Sequence, residues 1–172
     1  MRPVILLGAP GSGKTAAAHA YADLSGGKAS TPHGLAQSLT EEFVRDPTAA
    51  QIALKTHALN ALKDLGGGDI LELSASLPAD EEVAQAVRAA QGDGALVVLL
   101  DAPDSVLARR NGLNAAQVAP IGTPRAWFQA LHRDLIEKCG ELAEMTLDTE
   151  QLGVTQVGEA LRGAAGGSGH PR

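Results

Sequence analysis

Residues 8–15 read Gly-Ala-Pro-Gly-Ser-Gly-Lys-Thr and follow directly on the apolar run Val4-Ile5-Leu6-Leu7. An unbroken apolar run that stops at glycine is the pattern of a strand covered on both faces. Alanine-rich residues 14–24 behind the turn read as a helix. Gly8, Gly11 and Gly13 let the backbone turn with its N–H groups inward and no Cβ in the way. Strand, glycine turn and helix in this order restrict the chain to folds with a buried strand feeding a helix across a tight anion-binding bend.

The eight residues match G-x-x-x-x-G-K-[S/T] in full. In that pattern the lysine reaches the β- and γ-phosphates of a nucleoside triphosphate and the hydroxyl ligates a magnesium ion. Gly8, Ala9, Pro10, Gly11, Ser12, Gly13, Lys14 and Thr15 are therefore the expected cofactor-binding residues. Lys14 also serves catalysis, Thr15 is the metal ligand, and ATP and Mg2+ are the expected cofactors.

Beyond the turn, apolar runs alternate with longer amphipathic stretches. Further strands are expected at 69–73, 95–100 and 145–148, with a weak one near 28–31. Helices are expected at 48–65, 78–90, 103–110, 125–142 and 154–162. In the first of these, Ile52, Ala53, Leu59, Leu62 and Leu65 fall near one stripe. The second opens on Pro78 and three acids, Asp80, Glu81 and Glu82, which suit the positive end of a helix dipole. Strand and helix alternating at this spacing predict an α/β fold: three layers, with helices on both faces of a parallel sheet. A single domain over 1–162 and a flexible tail over 163–172 are expected.

Composition narrows the partners. The 172 residues carry a net charge of −6, and aromatics make up only 2%. A broad electrostatic footprint for a polyanion and an aromatic stacking platform are both lacking, so nucleic acid is not an expected partner. No apolar run approaches the ~18 residues of a membrane span, and the amino-terminal run is too short for a secretory signal. A cytoplasmic, monomeric protein is expected. The single cysteine, Cys139, excludes an intrachain disulfide and reads as a packing residue.

With these motifs in place, the chain resembles the small-molecule kinases of the nucleoside monophosphate kinase superfamily, and shikimate kinases most of all. The stretches that carry the resemblance are I-L-L-G-A-P-G-S-G-K-T at 5–15, A-L-V-V-L-L-D-A at 95–102, V-L-A-R-R-N-G at 106–112 and L-A-E-M-T-L-D-T at 142–149. The resemblance implies a five-stranded sheet of order 2-3-1-4-5 and a lid near 111–124 that closes over the phosphates. It also implies an arginine packed on adenine, for which Arg109 and Arg110 stand at the matching place, with Arg110 preferred. The implied activity is transfer of the ATP γ-phosphoryl group to a hydroxyl of a small molecule.

The chain also departs from that family. An Asp-x-Asp pair is expected after the second strand, where this chain has Ser30-Thr31-Pro32. A triple-glycine turn is expected after the third strand, where Ser74-Ala75-Ser76 stands. Arginine forks for the shikimate carboxylate are replaced by Ile52-Ala53-Leu54-Lys55 and by a displaced Arg133. Two lost forks cost several kcal/mol by order of magnitude, so the acceptor is expected to be another hydroxylated metabolite or a nucleoside phosphate. A homologue that binds nucleotide without transferring phosphate, in a regulatory or partner-binding role, is the alternative.

The remaining candidates follow from charge and position. Arg125 is placed to swing toward the γ-phosphate. Ser30, Thr31, His33, Lys55 and Arg133 are the acceptor-side candidates, with His33 as a possible base and the two hydroxyls in place of the missing carboxylates. Asp101 reads as a turn or capping residue before Pro103 rather than a metal carboxylate. Glu72, inside an apolar strand, must be paired or reach the sheet end.

Overall fold

The computed structural model describes residues 1–32, 46–112 and 124–167, with side chains at all of these except 124–131. Five strands run parallel: β1 (Val4–Gly8), β2 (Ala29–Ser30), β3 (Ile70–Glu72), β4 (Leu96–Asp101) and β5 (Met145–Asp148). Their order is β2-β3-β1-β4-β5, as the resemblance implies. Register is set on β1, where Val4 lies opposite both Ile70 and Leu96. The chain leaves β1 toward one edge, returns through β3, and builds β4 and β5 on the other side. The carboxyl end of β1 is thus the switch point of the sheet, the place where open α/β sheets bind ligands.

Among the described residues six helices surround the sheet: α1 (Lys14–Ser25), α2 (Pro47–Lys63), α3 (Glu81–Gly92), α4 (Asp104–Arg110), α5 (Pro124–Gly140) and α6 (Val154–Gly166). Successive strand residues point to opposite faces. Val4, Leu6, Ile70, Leu96, Val98 and Leu100 pack with Ala17, Ala18 and Tyr21 of α1 and Val157, Leu161 and Ala165 of α6. Ile5, Leu7, Leu71, Val97 and Leu99 pack on the other face with Ala58 and Leu62 of α2, Val83 and Val87 of α3, and Cys139 of α5. Both faces are apolar, which is why β1 and β4 read as unbroken hydrophobic runs rather than alternating ones.

Three details differ from the sequence reading. The buried stripe of α2 is Ala50, Leu54, Ala58 and Leu62, a four-residue period, and Ile52 is 60% exposed. Two of the four are small alanines, which a count of large apolar residues misses, and Leu59 and Leu65 of the expected stripe pack at its margin. Residues 77–79 form a separate 3-10 turn, because the Asp80 side chain caps α3 by accepting from the Glu82 and Val83 N–H groups. The last helix runs to Gly166, past the expected end at 162. Ala165 is buried and its carbonyl accepts from the Arg2 N–H at 3.0 Å, which ties residues 163–166 to the fold despite their glycines. Of the expected lid, 113–123 lie outside the described residues.

Candidate functional site

The glycine turn stands at the carboxyl end of β1, and each glycine has its own reason. Gly8 has φ +149°, and a Cβ there would sit 2.4 Å from the Leu100 carbonyl oxygen. Gly13 has φ +90° and precedes α1, and a Cβ there would meet nothing within 4 Å. The Ser12 hydroxyl, between these two glycines, is buried and has no hydrogen-bond partner among the described residues. A buried polar atom without a partner costs free energy, and an incoming anion's oxygen would supply what it lacks.

Lys14 opens α1 and is only 7% exposed. Its Nζ donates to the loop's own carbonyls, Gly8 O at 2.8 Å and Ala9 O at 3.1 Å. Burial holds its pKa below the usual lysine range, opposed by the charge of Glu72. An ammonium in that position lacks a full counter-anion, and phosphate oxygens are suited to provide one. The Thr15 hydroxyl, one residue on, donates to Glu72 Oε2 at 2.8 Å. A hydroxyl beside a carboxylate is a hard-oxygen pair of the kind magnesium takes.

Three side chains brace the turn from outside. Arg110 donates to Thr149 O at 2.8 Å, Thr149 Oγ1 at 3.0 Å and Gly11 O at 3.3 Å. Asn111 Nδ2 donates to Pro10 O at 2.9 Å. Thr149, just past β5, is buried and its hydroxyl lies 3.2 Å from Ser12 O. Arg110 borders a cavity of about 190 Å³ together with Gly13, Leu152 and Val157. Its guanidinium is anchored by Thr149, so it joins loop to sheet as well as facing that cavity. Arg109 is exposed.

A larger cavity of about 710 Å³ opens on the other side of the loop, between Ala9 and Pro10, Ala75 and Ser76 after β3, and α5. Its polar lining among the described residues is Ser76, His132, Asp134, Glu137 and Lys138. No described arginine lines it. His132 was not among the sequence candidates. Its Nδ1 stands 2.5 Å from Asp104 Oδ1 and its Nε2 3.2 Å from Asp101 Oδ1. That pairing accounts for Asp101, and Pro103 rather than Asp101 occupies the cap position of α4.

The acceptor-side candidates do not converge. Ser30 Oγ lies 3.4 Å from His57 Nε2 and borders a separate cavity with Lys28 and Asp64. Thr31 is half-buried and Arg133 exposed on α5. Lys55 Nζ is paired with Asp80 at 3.0 Å and Glu82 at 2.8 Å, clamping α2 to the start of α3. His33 lies outside the described residues, as does the side chain of Arg125, which sits in the first turn of α5. The signal that was available and underused is Glu72, an acid in an apolar strand three positions short of the turn that lines the large cavity.

Cys139 is buried, and burial pushes its thiol up to about 11. That is the behaviour of a packing residue, as the sequence suggests.

The chain is 31% identical over 173 residues to a shikimate kinase from Thermobifida fusca, covering 93% of each. Among solved structures it is similar to a shikimate kinase from Acinetobacter baumannii in complex with shikimate, with a TM-score of 0.66, 18% identity, and coverage of 95% of this chain and 93% of that one. A gluconokinase from Sinorhizobium meliloti aligns with a TM-score of 0.63 and 20% identity over 95% of this chain and 91% of that one. No family model matches the chain.

Proposed function

Because the chain belongs to the shikimate kinase family, we propose that it is a small-molecule kinase that moves the γ-phosphoryl group of ATP to a hydroxyl of an acceptor other than shikimate. The observation that carries this reading is Lys14. A buried ammonium folded onto its own loop carbonyls, in the same loop as an orphaned Ser12 hydroxyl, supports a phosphate site by its chemistry.

In this reading the loop N–H groups and Lys14 hold the β- and γ-phosphates and the base lies in the cavity beside Arg110 and Val157. Thr15 would ligate the magnesium ion, which supplies charge neutralisation on the phosphates. The acceptor occupies the cavity bounded by Ala9, Ser76 and α5. Two carboxylates and one lysine line that cavity among the described residues, and this favours an acceptor without a carboxylate to be gripped. Lys14 stabilises charge that builds on the transferring group, a contribution largest in a dry site.

A second reading has support of its own. Residues 30–32 hold no carboxylate, and a homologue that binds nucleotide without transfer would need none. ATP consumption in the presence of shikimate and a panel of hydroxylated metabolites separates the two. Turnover with a neutral hydroxyl compound, lost in Lys14→Ala, is the expected result. Stabilisation by ATP with no turnover on any acceptor would favour the second reading. Unchanged ATP affinity in Lys14→Ala would overturn both.

A further inference from the structure

We propose that Glu72 is the carboxylate through which this chain positions the divalent cation of its nucleotide, acting together with Thr15. The inference rests on the nucleotide reading above and deepens it. Glu72 ends β3, the strand beside β1, in register with Leu6. Its side chain therefore emerges at the same end of the sheet as the loop. It is 8% exposed, and a buried carboxylate is costly unless it is bonded or charge-paired. The chain offers it the Thr15 hydroxyl at 2.8 Å and the nearby charge of Lys14.

A strand end needs no anion for stability, and valine or leucine would fill the place without the desolvation cost. The polar pair instead stands at the start of α1, directly behind the glycine turn. Thr15 donates its proton to Glu72, which leaves the lone pairs of its oxygen available to a cation. A carboxylate has two oxygens, so accepting from Thr15 does not exhaust it. Two carboxylates on the strands around it are engaged elsewhere. Asp101 Oδ1 faces His132, and Asp69, at the opposite end of β3, accepts from the Lys28 and Gly66 N–H groups. Of the carboxylates among the described residues, Glu72 is the one bonded to the loop.

The experiment titrates Mn2+ into the protein saturated with a non-hydrolysable ATP analogue, following the free-cation paramagnetic resonance signal. Binding of the analogue in EDTA is measured separately. Glu72→Gln is expected to lower the Mn2+ affinity of the complex by about ten- to a hundred-fold. Its metal-free analogue binding should be unchanged or tighter, because a negative charge beside the phosphates is gone. Glu72→Asp should recover part of the Mn2+ affinity. Mn2+ affinity in Glu72→Gln that matches the parent overturns the inference and leaves the nucleotide reading standing. Equal losses with and without cation assign Glu72 to loop support alone and also overturn it. A parent chain that binds no analogue in either condition overturns both readings. One measurement needs no variant: in the parent complex Mn2+ should broaden the side-chain resonances of Glu72 and Thr15, and a sharp Glu72 signal with cation bound defeats the proposal.

Discussion

Ser12 shows how a single atom can be set against the stability of the chain that carries it. Its hydroxyl is buried beneath the loop with no partner among the described residues. An unmet buried hydroxyl costs about 1–3 kcal/mol. Ser12→Ala is therefore expected to stabilise the ligand-free protein by about 1 kcal/mol while reducing the further stabilisation that ATP confers. Thermal unfolding with and without ATP checks both halves. A variant less stable than the parent without ligand, or one with an undiminished response to ATP, counts against the cradle. Glu72 and Lys14 belong to the same pattern: buried charge kept at the one bend where a polyanion and its cation would offset the cost.

Helix against helix, α1 and α6 approach closely at Gly158. A Cβ on Gly158 would come 3.0 Å from the Ala20 Cβ and 3.3 Å from the Tyr21 nitrogen. Glycine inside a helix costs up to about 1 kcal/mol against alanine, so its presence reflects the close approach. Gly158→Leu should destabilise by about 1–3 kcal/mol through overpacking, whereas Gly158→Ala should come out near neutral as propensity and crowding cancel. Urea unfolding of the two variants measures the difference, and a leucine variant as stable as the parent would disprove the close fit. The consequence reaches the site, because Val157, next to Gly158, lines the cavity beside the loop. On the other face, Lys55 does comparable work between α2 and α3 through its pairs with Asp80 and Glu82.

Across the entire fold, stability and pH are linked by the thiol beneath the loop. The Cys139 pKa rises from an ordinary value of 9.0 to about 11, chiefly through burial, with Lys14 and the Gly8 N–H pulling the other way. The raised value belongs to the folded chain. Below pH 9 the thiol is neutral folded or unfolded and contributes nothing to the pH dependence. Between pH 9 and 11 the unfolded chain releases the proton first, so this thiol's contribution to folding stability falls by about 1–3 kcal/mol through that window, while Tyr21, raised by burial, acts in the same sense and Lys14, lowered by burial, in the opposite one. Cys139→Ala should flatten this alkaline loss, seen as a smaller drop in the urea midpoint between pH 8.5 and pH 10.5. A variant with the same alkaline slope as the parent would show that other groups carry it.

How much of this was readable beforehand differs from place to place. The loop and the strands around it were legible because their signals are local: glycines at positive φ, a lysine at fixed spacing, apolar runs long enough to be covered on both sides. The face that α2 buries matches the expected stripe in part: Leu62 is buried and Leu59 and Leu65 pack on the core, while Ile52 is exposed and Ala50 and Ala58 take places that a count of large apolar residues passes over. The pairing of Thr15 with Glu72 joins residues 57 positions apart, and that of His132 with Asp101 joins residues 31 apart. No spacing rule links such partners. Sequence settled the chemistry of the bend, since backbone conformation and one cation's reach are short-range properties. Which carboxylate stands beside that bend, and which cations are already spent on ion pairs, depended on the order in which the sheet stacks its strands, because that order alone brings their ends together.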